Sequence, residues 1–363
     1  MYLHYNIINI IMETEMNMVD VFLGSCSGGN SFFLDNKSEK REIIMENSEF
    51  LKNDIKISKI VREIPYYYNY FSPILDNINI EFGEIDEENK KYLHFDKLYN
   101  QRKMVIIKKM DEKYETVEYF LSNIKNQNQF FNEFINIYKK MLKSLEVLEE
   151  NDICYIFMGD NRDDIDISID KYGAPILEYF GFSLVKSSLD VDLLKNININ
   201  HDFLPIDFCI INFLLNNPEI ESISSQNLLK ICEKYVLGNK TFIEFQKITG
   251  KKVDFVFYKK NIEYFMKYVN QRREKIIAEV YEKGVKTWAN YQLSILFLNL
   301  LMRFVKYNGD SRIFYDYFSQ MLLTNIQPSI EKRLDINKNI SYFDEFIEMD
   351  EKQWKNFSRQ IKI

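Results

Sequence analysis

The sequence predicts an α+β protein in which a small β-rich N-terminal part with one main helix accompanies a larger helical C-terminal part, the join falling near 111–117. Three observations carry this. Short apolar runs bounded by glycine or polar turns dominate up to Met110, one stretch of helical period interrupts them over Phe50–Ile64, and beyond Val117 long segments keep a 3.6-residue apolar spacing.

Taken in order, Val19–Asn36 is small and glycine-containing between apolar flanks, the pattern of two strands around a turn, and Lys40–Asn47 is a further short strand. Phe50–Ile64 places Leu51, Ile55, Ile57, Ile60, Val61 and Ile64 near helical spacing and stops at Pro65, so an amphipathic helix is expected. Ile78–Ile85 and Lys103–Met110 return to strand character. Phe130–Glu150 then keeps one apolar face through Phe134, Ile137, Tyr138, Met141, Leu142, Leu145 and Leu148, a core-facing helix. Ile153–Ser183 reads as short strands and loops, and helices dominate from Asp207, most clearly over Trp288–Tyr307. No repeat of 20 to 50 residues is present.

With 363 residues the chain can bury a real core, and 46% apolar with 28% charged residues is ordinary for a globular protein, although 24 Tyr and 29 Phe make it unusually aromatic. The net charge of −7 gives no global attraction to nucleic acid or anionic lipid, and no long basic patch offsets it. Cys26, Cys154, Cys209 and Cys232 are far apart, form no CxxC pair and have only three histidines to complement them, so reduced thiols are expected and a structural metal is not. The first dozen residues lack the basic start of a signal peptide, and Met12, Met16 and Met18 follow closely; residues 1–18 are read as an N-terminal extension, disordered or upstream of the true start. No apolar run reaches the ~20 residues of a membrane-spanning helix.

Four stretches carry a family resemblance: residues 60–74 (IVREIPYYYNYFSPI), 175–184 (PILEYFGFSL), 286–294 (KTWANYQLS) and 325–334 (NIQPSIEKRL). In this order, after a β-rich part with one helix, they resemble the eukaryotic-type Ser/Thr protein kinase domain, in wording closest to the divergent kinase-like proteins of large double-stranded DNA viruses. The resemblance implies a bilobal fold with an N-lobe over 19–112, a C-lobe over 113–350 bearing a helical insertion around 218–285, and a tail over 351–363. It also implies residence in a host cytoplasm or virion.

The parts needed for phosphoryl transfer are mostly altered. Gly24-Ser-Cys26-Ser-Gly28-Gly29-Asn-Ser31 resembles the G-x-G-x-x-G-x-V loop over the nucleotide phosphates, keeping Gly24 and Gly29 but replacing the middle glycine by Cys26; an ordinary glycine hairpin explains it equally. Where the family places a strand lysine on the phosphates, this chain has Met45, whose thioether carries no charge. Lys40 and Arg41 lie on the same strand but not at that place. Asp54 most nearly takes the position of the helix glutamate that pairs with the lysine. The catalytic loop has two registers: one puts Cys154, Ile156 and Asn161 at the histidine, aspartate and asparagine, and the other puts Asp160 at the base and Ile165 at the asparagine. The acidic run Asp160, Asp163, Asp164, Asp166 is also readable as a solvated loop.

At the D-F-G position Tyr179-Phe180-Gly181 keeps Phe and Gly, but Tyr179 offers a neutral phenol where a magnesium ion wants a carboxylate. Glu178 lies next door, but strand alternation would point it to the opposite face. Ala289 stands where related sequences have an aspartate bracing the catalytic loop, while Arg333 matches their late structural arginine.

The expectation is therefore a pseudokinase that binds a protein partner, such as an active kinase or its substrate, with no cofactor. The alternative is an active Ser/Thr kinase using ATP and Mg2+ with Asp160 as base. The stretch Phe255–Arg273, with Lys259, Lys260, Lys267, Arg272 and Arg273, reads as a docking surface or as a solvated helix face.

Overall fold

The patterning resolves into a mixed α+β structure, described by a computed structural model over residues 23–26, 29–34, 40–81, 103–110, 114–157, 167–197, 202–309 and 311–360. Side chains are described over 47–80, 105–108, 114–157, 167–197, 202–309, 311–312 and 314–348. By internal contacts the chain divides into two units: the residues up to Tyr114 with Ile176–Gly181, and Glu115–Pro175 with Phe182 onward.

In the first unit, strands β1 (Leu23–Cys26), β2 (Gly29–Leu34), β3 (Lys40–Glu46), β4 (Asp76–Glu81) and β5 (Lys103–Met110) form one antiparallel sheet in the order β1-β2-β3-β5-β4. Helix α1 (Glu49–Glu63) lies in sequence between β3 and β4. It starts where the Ser48 side chain accepts the Leu51 backbone N–H at 3.1 Å, satisfying a donor that the helix end leaves orphaned. It ends at Ile64, which is extended because a residue before proline is pushed out of the α region. The period-2 pleat turns Val105 and Ile107 inward, where they meet Leu51 and Ile74, with Ile55 packed alongside.

The second unit begins with β6 (Glu115–Thr116), α2 (Val117–Ser122) and the long α3 (Gln127–Glu150), followed by β7 (Ile153–Cys154) and β8 (Ile167–Ile169). After β9 (Pro175–Leu177), which leads into the first unit, come β10 (Leu184–Val185), α4 (Val191–Asn196) and α5 (Ile206–Asn216). Then follow α6 (Ser225–Cys232), α7 (Lys240–Thr249), α8 (Val253–Phe265), α9 (Arg273–Gly284), α10 (Trp288–Phe304), α11 (Ser311–Asn325) and α12 (Ile336–Gln360). Short ladders pair β6 with β8 and β7 with β10. Helix α12 runs through position 351, where the sequence suggests a tail.

Helix α10 is apolar on nearly every face and buried from Trp288 to Leu298, which is how a helix at the centre of a core reads. Around it the aromatic surplus finds its use. Phe134 and Tyr138 of α3 meet Phe297 of α10 at ring separations of 5.3 and 4.8 Å, and Phe318 of α11 at 5.5 and 5.4 Å. Tyr138 also meets Phe343 of α12 at 5.1 Å. These edge-to-face and tilted pairs put positive ring edges on negative faces. Among the described residues no helix is long and apolar enough to cross a membrane.

Candidate functional site

Two groups of residues hold the positions singled out by the resemblance, one in each unit.

In the first unit Met45 lies on β3, in the interior of the sheet, with Ser31 of β2 and Val105 of β5 as its Cα partners. Gly24 faces Ser31 and Gly29 faces Cys26 across the first hairpin. The side chains of β1, β2 and β3 lie outside the described residues. On α1, Asp54 is buried and accepts a hydrogen bond from Ser58 Oγ at 3.1 Å, while Ser58 Oγ accepts the Ile74 backbone N–H at 3.0 Å. Asp54 is thereby tied through one hydroxyl to the chain that leads into β4.

The Tyr179-Phe180-Gly181 segment is docked on the same helix. Asn53 Nδ2 donates to the Gly181 carbonyl at 2.9 Å, and Phe180, fully buried, meets Phe71 edge-to-face at 6.1 Å. Just before it, the Leu177 N–H donates to Tyr70 O and the Ser72 N–H to Leu177 O, both at 2.9 Å. Strand alternation does not govern Glu178 and Tyr179: β9 ends at Leu177, and Tyr179 takes a left-handed φ of 57°. Glu178 is buried and Tyr179 half-buried. A bulky residue at positive φ is strained, so tertiary contacts hold Tyr179 in place.

Asn53 was not among the residues singled out from sequence. Its only signal is an amide inside a helix, where asparagine is a poor former. Gly181 also has a steric role: a Cβ there would sit 2.8 Å from the Phe50 carbonyl oxygen. Gly181→Ala is expected to cost about 1–3 kcal/mol through forced backbone displacement, read as a lower midpoint in urea denaturation. An unchanged midpoint would show that the segment can shift away from α1 freely.

In the second unit Asp160 and the other acids of its run lie outside the described residues, so the two loop registers are not distinguished there. The chain approaches them through β7 and the buried Tyr155, Ile156 and Phe157. Ala289 and Gln292 are both on α10; the Gln292 amide donates to Phe157 O at 3.1 Å and accepts the Phe157 N–H at 3.3 Å. Arg333, which follows a short helical turn at Ile330–Lys332, is buried and pairs with Asp207 of α5 at 2.7 Å. It also donates to Gln327 O at 2.6 Å and covers the Tyr291 ring at 4.9 Å. The second oxygen of Asp207 accepts the Trp288 indole N–H at 2.5 Å.

The basic-aromatic stretch Phe255–Arg273 is partly engaged by its own chain. Phe257, Phe265 and Tyr268 are buried. Lys267 pairs with Glu331 at 3.4 Å and sits 3.9 and 4.9 Å from the Tyr264 and Tyr268 rings, while Arg273 Nε donates to Leu214 O at 2.9 Å. Phe255, Val256 and Met266 remain exposed, as do Lys259, Lys260 and Arg272. A groove of about 460 Å³ elsewhere on this unit is lined by Glu118, Asp202, Lys240, Glu244, Lys247 and Arg303, three acids and three bases, and so favours neither sign of ligand.

Burial pushes the Cys154 and Cys232 thiols up to about 12, and Cys209 also upward. All three therefore stay protonated at neutral pH and are poor nucleophiles. Among the described residues no cluster of three or more His, Cys, Asp or Glu could hold a metal ion. Neither the models of known protein families nor the curated proteins compared with this chain match it.

Proposed function

We propose that the chain is a protein-kinase-like module with impaired phosphoryl transfer that acts by binding a protein partner, such as an active kinase or its substrate. The observation that carries this is Met45 on an interior strand of the five-stranded sheet, a neutral thioether where the family holds phosphate oxygens with a lysine. Tyr179 at the metal-binding position and Ala289 at the bracing position point the same way.

The kinase-like part of the reading draws support from arrangement. An antiparallel sheet ordered β1-β2-β3-β5-β4, with one helix between its third and fourth strands, carries a Phe-Gly segment tied to that helix. Arg333, matched from sequence to a structural arginine, is buried in an ion pair. Met45, Tyr179 and Ala289 are neutral where the resemblance implies a lysine and two aspartates, while Asp160 stands at the base in one of the two loop registers. Losing a fixed cation and a metal carboxylate removes electrostatic stabilisation worth decades in rate, at ~1.4 kcal/mol per tenfold.

The test is a thermal-shift titration with MgATP beside a phosphotransfer assay. The parent chain is expected to show neither stabilisation nor turnover, whereas Met45→Lys combined with Tyr179→Asp is expected to introduce magnesium-dependent stabilisation, about 2.7 kcal/mol at a hundredfold excess over Kd. Magnesium-dependent stabilisation of the parent, with turnover abolished by Asp160→Asn, would instead establish the active kinase.

A further inference from the structure

We propose that Gln292 is the positioning residue for the chain segment that leads into the acidic run at Asp160, supplying from one turn further along α10 the brace that Ala289 cannot. The significance of that segment rests on the kinase-like reading above; the clamp itself rests on geometry alone.

Gln292 is fully buried in a helix whose neighbours are Tyr291, Leu293, Ile295 and Leu296. A primary amide in such surroundings is costly unless its hydrogen bonds are made, and a leucine would pack there without that cost. Its donor and acceptor are both spent on one residue: Nε2 reaches Phe157 O at 3.1 Å and Oε1 receives the Phe157 N–H at 3.3 Å. This is the two-point pairing that one strand residue offers another in an antiparallel ladder. It appears three residues beyond the end of β7, where the chain is no longer paired with β10. Phe157 is itself buried, so without the clamp its N–H and C=O would be left unmade.

The helix bearing the clamp is itself anchored on other faces. Asn290 Nδ2 donates to Leu334 O at 2.8 Å and its Oδ1 accepts from Asn339 at 2.6 Å, while Ser294 Oγ donates to Asn290 O and accepts from Asn325 at 3.1 Å. Asn339 also donates to the Tyr138 hydroxyl, a phenol that burial pushes up to about 12 and so keeps neutral. Gln292 is thus mounted on a helix fixed to α3, α11 and α12.

Hydrogen exchange with residue-level fragmentation over Ile153–Phe157 tests the clamp. Gln292→Met keeps the shape of the side chain and loses both bonds; the Phe157 amide is expected to exchange roughly tenfold faster while α3 and α11 keep their protection. Gln292→Glu presents the same donor and acceptor only when its carboxyl is protonated. It is expected to keep the Phe157 protection in mildly acidic buffer; ionisation removes the donor and sets a buried carboxylate against the Phe157 carbonyl, which is expected to open the segment and lower that protection once intrinsic exchange rates are divided out. General stabilisation by residue 292 would not give that local pH dependence.

Unchanged exchange at Phe157 in the methionine chain, or a rise spread evenly over the second unit, would overturn the proposal. If the methionine chain does not fold, the glutamate chain decides by its pH dependence. MgATP-dependent turnover by the parent chain, abolished by Asp160→Asn, would overturn the impaired-module reading and leave the clamp standing. Loss of the clamp signature alone would do the reverse.

Discussion

Arg333→Ala is expected to lower the unfolding free energy by about 3–5 kcal/mol, because it strips the partner from a carboxylate that has no water to turn to. Asp207 is fully buried, and its two oxygens are held by the Arg333 guanidinium at 2.7 Å and the Trp288 indole at 2.5 Å. Removing the guanidinium also frees the Gln327 carbonyl and uncovers the Tyr291 ring. Against a total stability of about 5–15 kcal/mol, such a loss removes roughly a fifth or more of it. Chemical denaturation of the alanine variant measures the effect. The double variant Asp207→Leu/Arg333→Met separates the pair from its surroundings: since replacing a buried ion pair by apolar groups is often near neutral, it should recover a large part of the loss. A single-variant cost under about 1 kcal/mol would place the pair in a wet, high-dielectric setting and refute its burial.

Phe134→Ala is expected to cost a similar 3–5 kcal/mol by a different route, the transfer free energy of the ring plus the cavity it leaves. Phe134 is fully buried, and its ring meets those of Phe130, Phe297, Phe314 and Phe318 at 5.8, 5.3, 6.2 and 5.5 Å. Those partners come from α3, α10 and α11, so a collapse that would fill the hole must move three helices at once. Interiors packed to crystal density resist that. Phe134→Leu, which retains most of the volume, should cost clearly less, and the difference between the two variants in urea midpoint reads the cavity contribution. Equal costs would mean that the core relaxes around the gap.

The strongly periodic elements were legible from sequence. Helices expected over Phe50–Ile64, Phe130–Glu150 and Trp288–Tyr307 are observed over Glu49–Glu63, Gln127–Glu150 and Trp288–Phe304, with the boundaries moved by capping and fraying. The strand Lys40–Asn47 is observed over Lys40–Glu46, and Lys103–Met110 is observed with the expected bounds. The reason is local: which face of a helix or strand is apolar depends on residues a few positions apart. Site reading was less complete. Met45 and Tyr179 are singled out only through the resemblance, which implies a lysine and an aspartate at those places, a difference in charge that can be seen in the letters alone. The local strand rule used for Glu178 does not apply there, because β9 ends at Leu177 and Tyr179 turns left-handed.

The residue types alone determined where apolar faces recur, hence which segments coil and which extend. Contacts across large sequence gaps decided the rest. Asn53 reaches Gly181 over 128 positions, Gln292 reaches Phe157 over 135, and Arg333 finds Asp207 across several helices. Amides and guanidinium groups announce no direction in a sequence. Only when burial removes water must each donor find an acceptor, and the fold alone determines which acceptor is near.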